Sequence, residues 1–300
     1  MNNQLKHVTT MEKKYRLLEN DTKTVNGKTL YRIEALKDFT NVKKGDKGGY
    51  IESEDNLSHI GNCWVSDNAE IFGNACVFDN ARVDGNARVH GSACVADNAR
   101  VFGDAEVFGY AKVYGDAEVY GDARVCGYAE VYGYTEVSDN ALVRGNARVY
   151  GDARVCGDAR VFGYAEVFGK ARVYGYAEVF GYARVCGDAR VYGNAYVSDN
   201  TQVYGKARVC GCAEVYGDAD IRSTRDYVVL KNIWSSGRYF TYTRSNKMWK
   251  VGCFYGTGEE LIKKAYKDCE VSGREYKRVV EYVEAMYADL ENDERQEAKK

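Results

Sequence analysis

Not one proline occurs among the 300 residues. Proline removes a backbone donor and is confined to sheet edges and bulges, so its absence suits a chain in which nearly every N–H feeds a ladder. Long hydrophobic runs are missing as well. No stretch approaches the roughly 18 apolar residues of a membrane-spanning helix, and the opening MNNQLKHVTTMEKKYRLL has no signal-peptide core. The expected location is therefore the cytoplasm, without membrane contact. Nor does one sign of charge dominate. A formal charge of -2 and a pI near 6.1 exclude coating of nucleic acid or anionic membrane by bulk electrostatics, and leave any anionic partner to a local patch. Histidine is scarce, with only His7, His59 and His90.

What is present is a repeat. From Val65 to Ile221 an aliphatic residue recurs every six positions without slippage, giving 27 hexads with no insertion. The consensus runs Val-(Tyr/Phe/Cys)-Gly-(Asp/Asn/Tyr)-Ala-(Arg/Glu), as in Val113 to Glu118 and Val149 to Arg154. Alternation along Ala-(Arg/Glu)-Val-(Tyr/Phe) has period two, so Ala and Val share one face of a short half-buried strand and the charged and aromatic residues share the other. Where Gly is missing the replacement is Asp followed by Asn, at Asp67, Asp79, Asp97, Asp139 and Asp199. Gly, Asn and Asp tolerate a left-handed backbone, so this slot predicts a sharp corner with φ > 0.

The pattern resembles the left-handed parallel β-helix of the hexapeptide-repeat superfamily, and the segments Gly48-Gly49-Tyr50-Ile51-Glu52-Ser53 and Asn62-Cys63-Trp64-Val65 resemble bacterial and phage members often labelled acyltransferases. The resemblance covers about half the chain. It implies an all-β solenoid whose 18-residue triangular coils each take three hexads. Left-handedness comes from the resemblance alone, because the general rule for parallel crossovers favours the right hand. It also implies an association with phages or mobile elements.

Solenoid ends expose unpaired strands and need caps. Before the repeat, Tyr15–Leu18 and Leu30–Ala35 flank Asn26-Gly27, a hairpin signal. After it, strand-like runs at Tyr227–Ile233, Tyr239–Thr243 and Trp249–Phe254 are separated by Ser235-Ser236-Gly237 and Ser245-Asn246. Two helices follow, with capping boxes expected at Thr257/Glu260 and Ser272/Glu275. The second carries Tyr276, Val279, Val280, Val283, Tyr287 and Leu290 on one face. The expected organisation is a disordered leader over 1–12, with Met11 a second plausible start, and a small N-terminal β cap over 13–60. The β-helix takes 61–222, a C-terminal α+β domain 223–290, and a disordered tail 291–300.

Stacking the hexads by 18 sorts the outward residues into three ladders. One reads Glu70, Arg88, Glu106, Arg124, Leu142, Arg160, Glu178, Tyr196, Glu214, and a second reads Lys112, Glu130, Arg148, Glu166, Arg184. Both alternate in sign, as favourable cross-strand pairing requires. The third reads Arg82, Arg100, Glu118, Glu136, Arg154, Arg172, Arg190, Arg208, so four arginines stack consecutively with only the first touching a glutamate rung. Cys156, Tyr174, Tyr192 and Cys210 lie in the next column, with Lys170 and Lys206 at the adjoining corner. Arg and Tyr are enriched in binding hot spots, and guanidinium forks match carboxylates and phosphates. These residues form the expected partner-binding strip. Asp152 and Asp188 at the corner, together with solvent screening, offer a purely structural alternative. Phe108, Phe162, Phe180, Tyr132, Tyr150 and Phe168 also fall in outward slots, and covering them by self-association predicts a homodimer or trimer.

A hexapeptide acyltransferase would need a placed catalytic His, usually beside a loop leaving the prism. Here no loop is inserted, and His90 sits in an outward aromatic column between Phe72 and Phe108. No catalytic residue, metal site or cofactor is therefore expected. Cys126, Cys156, Cys186 and Cys210 fill a repeat slot as ordinary reduced thiols, Cys210-Gly211-Cys212 lacks zinc-finger partners, and Cys76 and Cys94, one coil apart, read as two free thiols. Gly256-Thr257-Gly258 reads as a turn and helix cap in preference to an anion site. The function expected is a non-enzymatic scaffold or binding protein whose partner is another protein. The alternatives are a protein that sequesters an anionic small molecule, nucleotide or nucleic acid to antagonise host defence, and an acyltransferase using His90 or His59.

Overall fold

A computed structural model describes residues 12–233 and 237–299. The expected leader before Glu12 lies outside the described residues, as do Trp234, the Ser235-Ser236 turn and Lys300. The hexads form a β-solenoid of about 18-residue coils over residues 50–221. Two compact units are distinguished, dividing at Asp139/Asn140.

The first unit begins with an antiparallel hairpin, Tyr15–Val25 and Lys28–Ala35, turning at Asn26 (φ 50°) and Gly27 (φ 77°). Two consecutive left-handed residues are what a two-residue turn demands, and Asn-Gly supplies them. Lys47–Ile51 pairs antiparallel with the hairpin and parallel with Glu70–Ile71. The cap is thus hydrogen-bonded into one face of the solenoid. Two further side chains stand in for a missing coil. Asn56, fully buried, donates to Gly73 O (3.0 Å) and Ala75 O (2.8 Å), and the buried Lys14 ammonium donates to Cys63 O (2.8 Å). From Trp64–Val65 to Glu136–Val137 strands of two residues, or four at Lys112–Gly115 and Glu130–Gly133, recur at six-residue spacing, each paired in register with the strand 18 residues away.

The second unit continues the spacing from Leu142–Val143 to Asp220–Ile221. Every Val of the repeat is fully buried, and the Ala slot is equally closed. Each buried Val contributes about 1.5–3 kcal/mol relative to exposure, offset by chain ordering. The last coil is capped by a four-stranded antiparallel sheet, Tyr227–Lys231, Tyr239–Thr243, Met248–Val251 and Phe254–Gly256. Its polar side chains accept coil N–H groups: Thr241 Oγ1 from Glu214 (3.0 Å) and Ser245 Oγ from Asp220 (2.7 Å). The third strand-like run of the sequence is in fact two strands, because Gly252, at φ 56°, turns the chain between Val251 and Phe254.

Helix Gly258–Asp268 has the expected reciprocal cap between Thr257 and Glu260. The second capping box does not form. Cys269 at once ends the first helix and N-caps the second, Glu270–Glu297, so Ser272 lies inside the helix and Glu275 pairs with Arg278 (2.7 Å) instead. Helix also replaces the tail expected from residue 291 onward. Arg244 from the sheet forks onto Glu294 (3.0 and 2.6 Å), tying down that final segment. The apolar face packs as expected, with Val280, Val283 and Tyr287 buried against Phe240, Tyr242 and Trp249.

Among the described residues no helix is long and apolar enough to cross a membrane.

Candidate functional site

The corner slot positions everything else. Gly residues there hold φ near 70°, and Asp67, Asp79, Asp97, Asp139 and Asp199 take the same conformation at φ 54–57°. The substitution adds a bond, because Asp97 Oδ2 accepts from Gly115 N (2.9 Å) and Asp199 Oδ2 from Gly217 N (2.9 Å), one coil on. Asparagines in the next slot form their own ladder, Asn62 to Asn80 to Asn98 to Asp116, with amide bonds of 3.0, 3.2 and 3.1 Å. Corners fixed this way keep the outward side chains of successive coils in register.

On the two alternating faces the ladders pair as their signs require. Arg88 reaches Glu70 (3.3 Å) and Glu106 (3.4 Å), and Arg124 also reaches Glu106 (3.2 Å). In the second unit Arg160 reaches Glu178 (3.3 Å) and Arg184 reaches Glu166 (3.2 Å). The third face of the second unit differs. Arg154, Arg172, Arg190 and Arg208 pair in register, one directly above another. Arg172, Arg190 and Arg208 make no ion pair among the described residues. Arg154, Arg172 and Arg208 are exposed and Arg190 is half-buried, while Lys170 and Lys206 at the corner are exposed.

Beside them Tyr174 and Tyr192 stack at 4.9 Å with planes 1° apart. The column continues through Cys210 to Tyr227, whose hydroxyl donates to Arg208 O (2.9 Å) and accepts from Cys210 N (3.2 Å). Desolvation by burial pushes the Tyr227 phenol well above its ordinary pKa, and the Cys210 thiol hydrogen bond raises Tyr192. Both phenols are therefore neutral and leave the guanidinium charge uncompensated. The arginines and tyrosines of the expected partner-binding strip thus stack along one face, with the two lysines at its corner. Tyr227 extends it, and nothing in the hexad pattern could have announced a residue that arrives from the C-terminal sheet.

The candidate self-association residues stack in columns. Phe162 and Phe180 stack at 4.9 Å, Tyr150 and Phe168 at 4.9 Å, Tyr114 and Tyr132 at 4.8 Å, and Phe108 lies on His90 at 5.1 Å. Guanidiniums lie over several of them, Arg144 on Phe162 (4.7 Å), Arg184 on Phe168 (5.3 Å) and Arg124 on Phe108 (5.2 Å). All six rings are half-buried, because ladder neighbours and cations cover their faces. The rings that stand out are corner tyrosines. Tyr110, Tyr128, Tyr134, Tyr164, Tyr176 and Tyr182 are 55–69 % exposed. The consensus had recorded Tyr at that slot, but its outward direction follows only from the corner geometry.

Residues 183–199 and 189–205 match the YdcK beta solenoid repeat. These windows include Arg184, Arg190 and Tyr192, so the similarity falls on the arginine and alternating ladders. No curated protein matches the chain.

The remaining candidates resolve into structural roles. His90 is sandwiched between Phe72 (4.8 Å) and Phe108 (5.1 Å), with Nε2 3.0 Å from Glu106. His59 stacks on Tyr15 (4.3 Å), and its Nδ1 accepts from Lys14 N (3.2 Å). His7 lies outside the described residues. At Gly256-Thr257-Gly258 the Glu260 carboxylate already accepts from Thr257 N (2.9 Å), taking the place an external anion would occupy. Among the described residues no group of three or more His, Cys, Asp or Glu is placed to hold a metal ion. A cavity of about 580 Å³ beside Asp220, Arg222, Asp226, Arg244, Glu291 and Glu294 is lined by charges that pair with one another, as Arg244 does with Glu294 and Arg222 with Asp220.

Proposed function

We propose that this chain is a non-catalytic binding protein whose second unit docks a carboxylate-bearing partner protein on the Arg172–Arg190–Arg208 ladder. The observation that carries the reading is the contrast between faces. On the two alternating faces charged rungs pair with the opposite sign, whereas these three guanidiniums stack without a carboxylate. The first unit also has like-charged neighbours, Arg82 beside Arg100 and Glu118 beside Glu136, but there Arg100 reaches Glu118 (3.2 Å). Like charges directly opposite one another destabilise a sheet, so the fold gains nothing from this arrangement. A partner presenting carboxylates at the rung spacing of about 4.8 Å would pair with each guanidinium in turn. Tyr174 and Tyr192 supply a flat, rigid flank for the same contact. The slightly acidic chain as a whole favours a discrete acidic surface over duplex nucleic acid.

Self-association as a homodimer or trimer is the second reading, and the rings that suggest it are half-buried under one another and under arginines, so the arginine ladder carries the proposal. Catalysis by His90 is disfavoured by its stacking between two phenylalanines and its bond to Glu106.

The test is titration of polyglutamate, a single-stranded oligonucleotide and a cyclic nucleotide against the wild type and Arg172→Glu/Arg190→Glu. Polyglutamate binding should weaken at least about tenfold in the variant, the equivalent of one lost charge-assisted hydrogen bond. Unchanged affinity removes the ladder from the account. Tighter, ladder-dependent binding of either nucleic-acid probe moves the reading to anion sequestration, and acetyl-CoA turnover abolished by His90→Ala would overturn it in favour of an enzyme.

A further inference from the structure

Ten cysteines occur, and Cys76 and Cys94 alone stand 18 residues apart. The spacing puts them on adjacent rungs, where Cys76↔Cys94 and Val77↔Val95 are in register and the two Sγ atoms approach to 2.8 Å. Rungs separated by about 4.8 Å fall within the Cα spacing of roughly 4.4–6.8 Å that disulfides accept. Closing a bond here requires no separation of the coils. Both thiols are half-buried, and Cys94 lines a cavity of about 270 Å³ with Phe78, Ala96, Asp97, Lys112 and Tyr114. Reagent access is therefore on the Cys94 side. Lys112 occupies the following rung, directly beside Cys94.

We propose that Cys76 and Cys94 are a redox-active dithiol that a low-molecular-weight disulfide converts into an inter-coil disulfide. The Cys94 thiolate attacks one sulfur of the incoming disulfide, forming a mixed disulfide and expelling one small thiolate. Cys76, deprotonated, then attacks Cys94 Sγ, forming the Cys76–Cys94 bond and expelling the second. The protein loses two electrons and two protons, and one small disulfide becomes two thiols.

The cavity beside Cys94 sets the order of attack, because the incoming disulfide meets Cys94 first. The hydrogen bond between the two thiols lowers the Cys94 pKa against the effect of burial, with Lys112 adding to it, and raises Cys76 together with desolvation. The location gives the bond a purpose. Cys76–Val77 is the terminal strand of its sheet, preceded only by the isolated bridge from Leu57 to Val77. Solenoids fray from their ends, so a staple between the first two rungs of this face restrains the position where coils detach most readily.

The site is independent of the arginine ladder, and its test leaves that reading untouched. The full chain is equilibrated in glutathione buffers of graded oxidation, free thiols are alkylated, and peptides are mapped by mass. The expected product is a peptide pair linked through Cys76 and Cys94, lighter by two hydrogens and reversed by dithiothreitol. Cys76→Ser should stop at glutathionylated Cys94, and Cys94→Ser should show far less adduct at Cys76. Circular dichroism of both variants establishes that they are folded. Full alkylation of both thiols in the most oxidising buffer, or an adduct on Cys76 in preference to Cys94, overturns the proposal.

Discussion

Replacing Arg190 with Glu should make the protein more stable while weakening its binding, an inversion expected only if the ladder is kept for a purpose other than folding. Arg190 lies in register between Arg172 and Arg208. At a rung spacing of about 4.8 Å, two unit charges in water interact by roughly 0.9 kcal/mol. Reversing the central sign converts two repulsions into two attractions, an unscreened swing of about 3.5 kcal/mol. Screening at 0.1 M salt reduces this to about 2 kcal/mol, and cross-strand pairs measured in sheets contribute only about 0.2–1 kcal/mol each. A gain of about 1 kcal/mol at low salt is the working value. Arg190→Gln should recover about half of it, and both gains should shrink in 1 M salt, where the screening length falls to about 3 Å. Urea unfolding of the three proteins at both salt concentrations measures the effect. A destabilised Arg190→Glu, or a gain indifferent to salt, would show that the guanidiniums are already compensated, and the binding argument would lose its premise.

Two further substitutions probe the corners and the cap of the first unit. Asp97 combines φ 56° with a carboxylate accepting from Gly115 N, so Asp97→Gly should lose about 1 kcal/mol for the hydrogen bond, and Asp97→Ala a further 1–2 kcal/mol, roughly, for the left-handed backbone; equal losses in urea unfolding would contradict the corner assignment. At the N-terminal cap, hydrogen bonds from the Lys28 ammonium and then Gly73 N hold the Glu52 carboxyl below its ordinary pKa. The folded value lies below the unfolded one of about 4.3, so Glu52 contributes stability above that pH and loses it as pH falls through the folded value. The stability difference between wild type and Glu52→Gln should be full near neutrality and vanish on acidification; a difference that persists in acid would contradict it.

The solenoid was legible in the sequence because one physical constraint, a corner every six residues around a Val/Ala core, leaves the same trace 27 times. The arginine ladder was legible for the same reason, since an 18-residue coil converts linear spacing into stacking. What escaped was everything that depends on two elements meeting. The Ser272/Glu275 box failed because Cys269 already serves both helices, where the Tyr266 ring lies so close to Gly273 that a side chain there would clash with it. Helix past residue 290 is held in part by Arg244, which lies 50 residues from Glu294. The aromatic columns were placed correctly, but their burial was misjudged. In-register rings cover one another's faces, which a count of outward aromatics does not reveal.

The claim on which the account turns is that unpaired guanidiniums select a protein partner. Quantitative mass spectrometry of proteins captured from the native host by the wild type and by Arg172→Glu/Arg190→Glu, run beside a native-mass measurement of each, puts it to the test. The account predicts an acidic protein captured by the wild type and lost from the variant, with both chains folded and in the same assembly state. Identical captures by the two chains would contradict it.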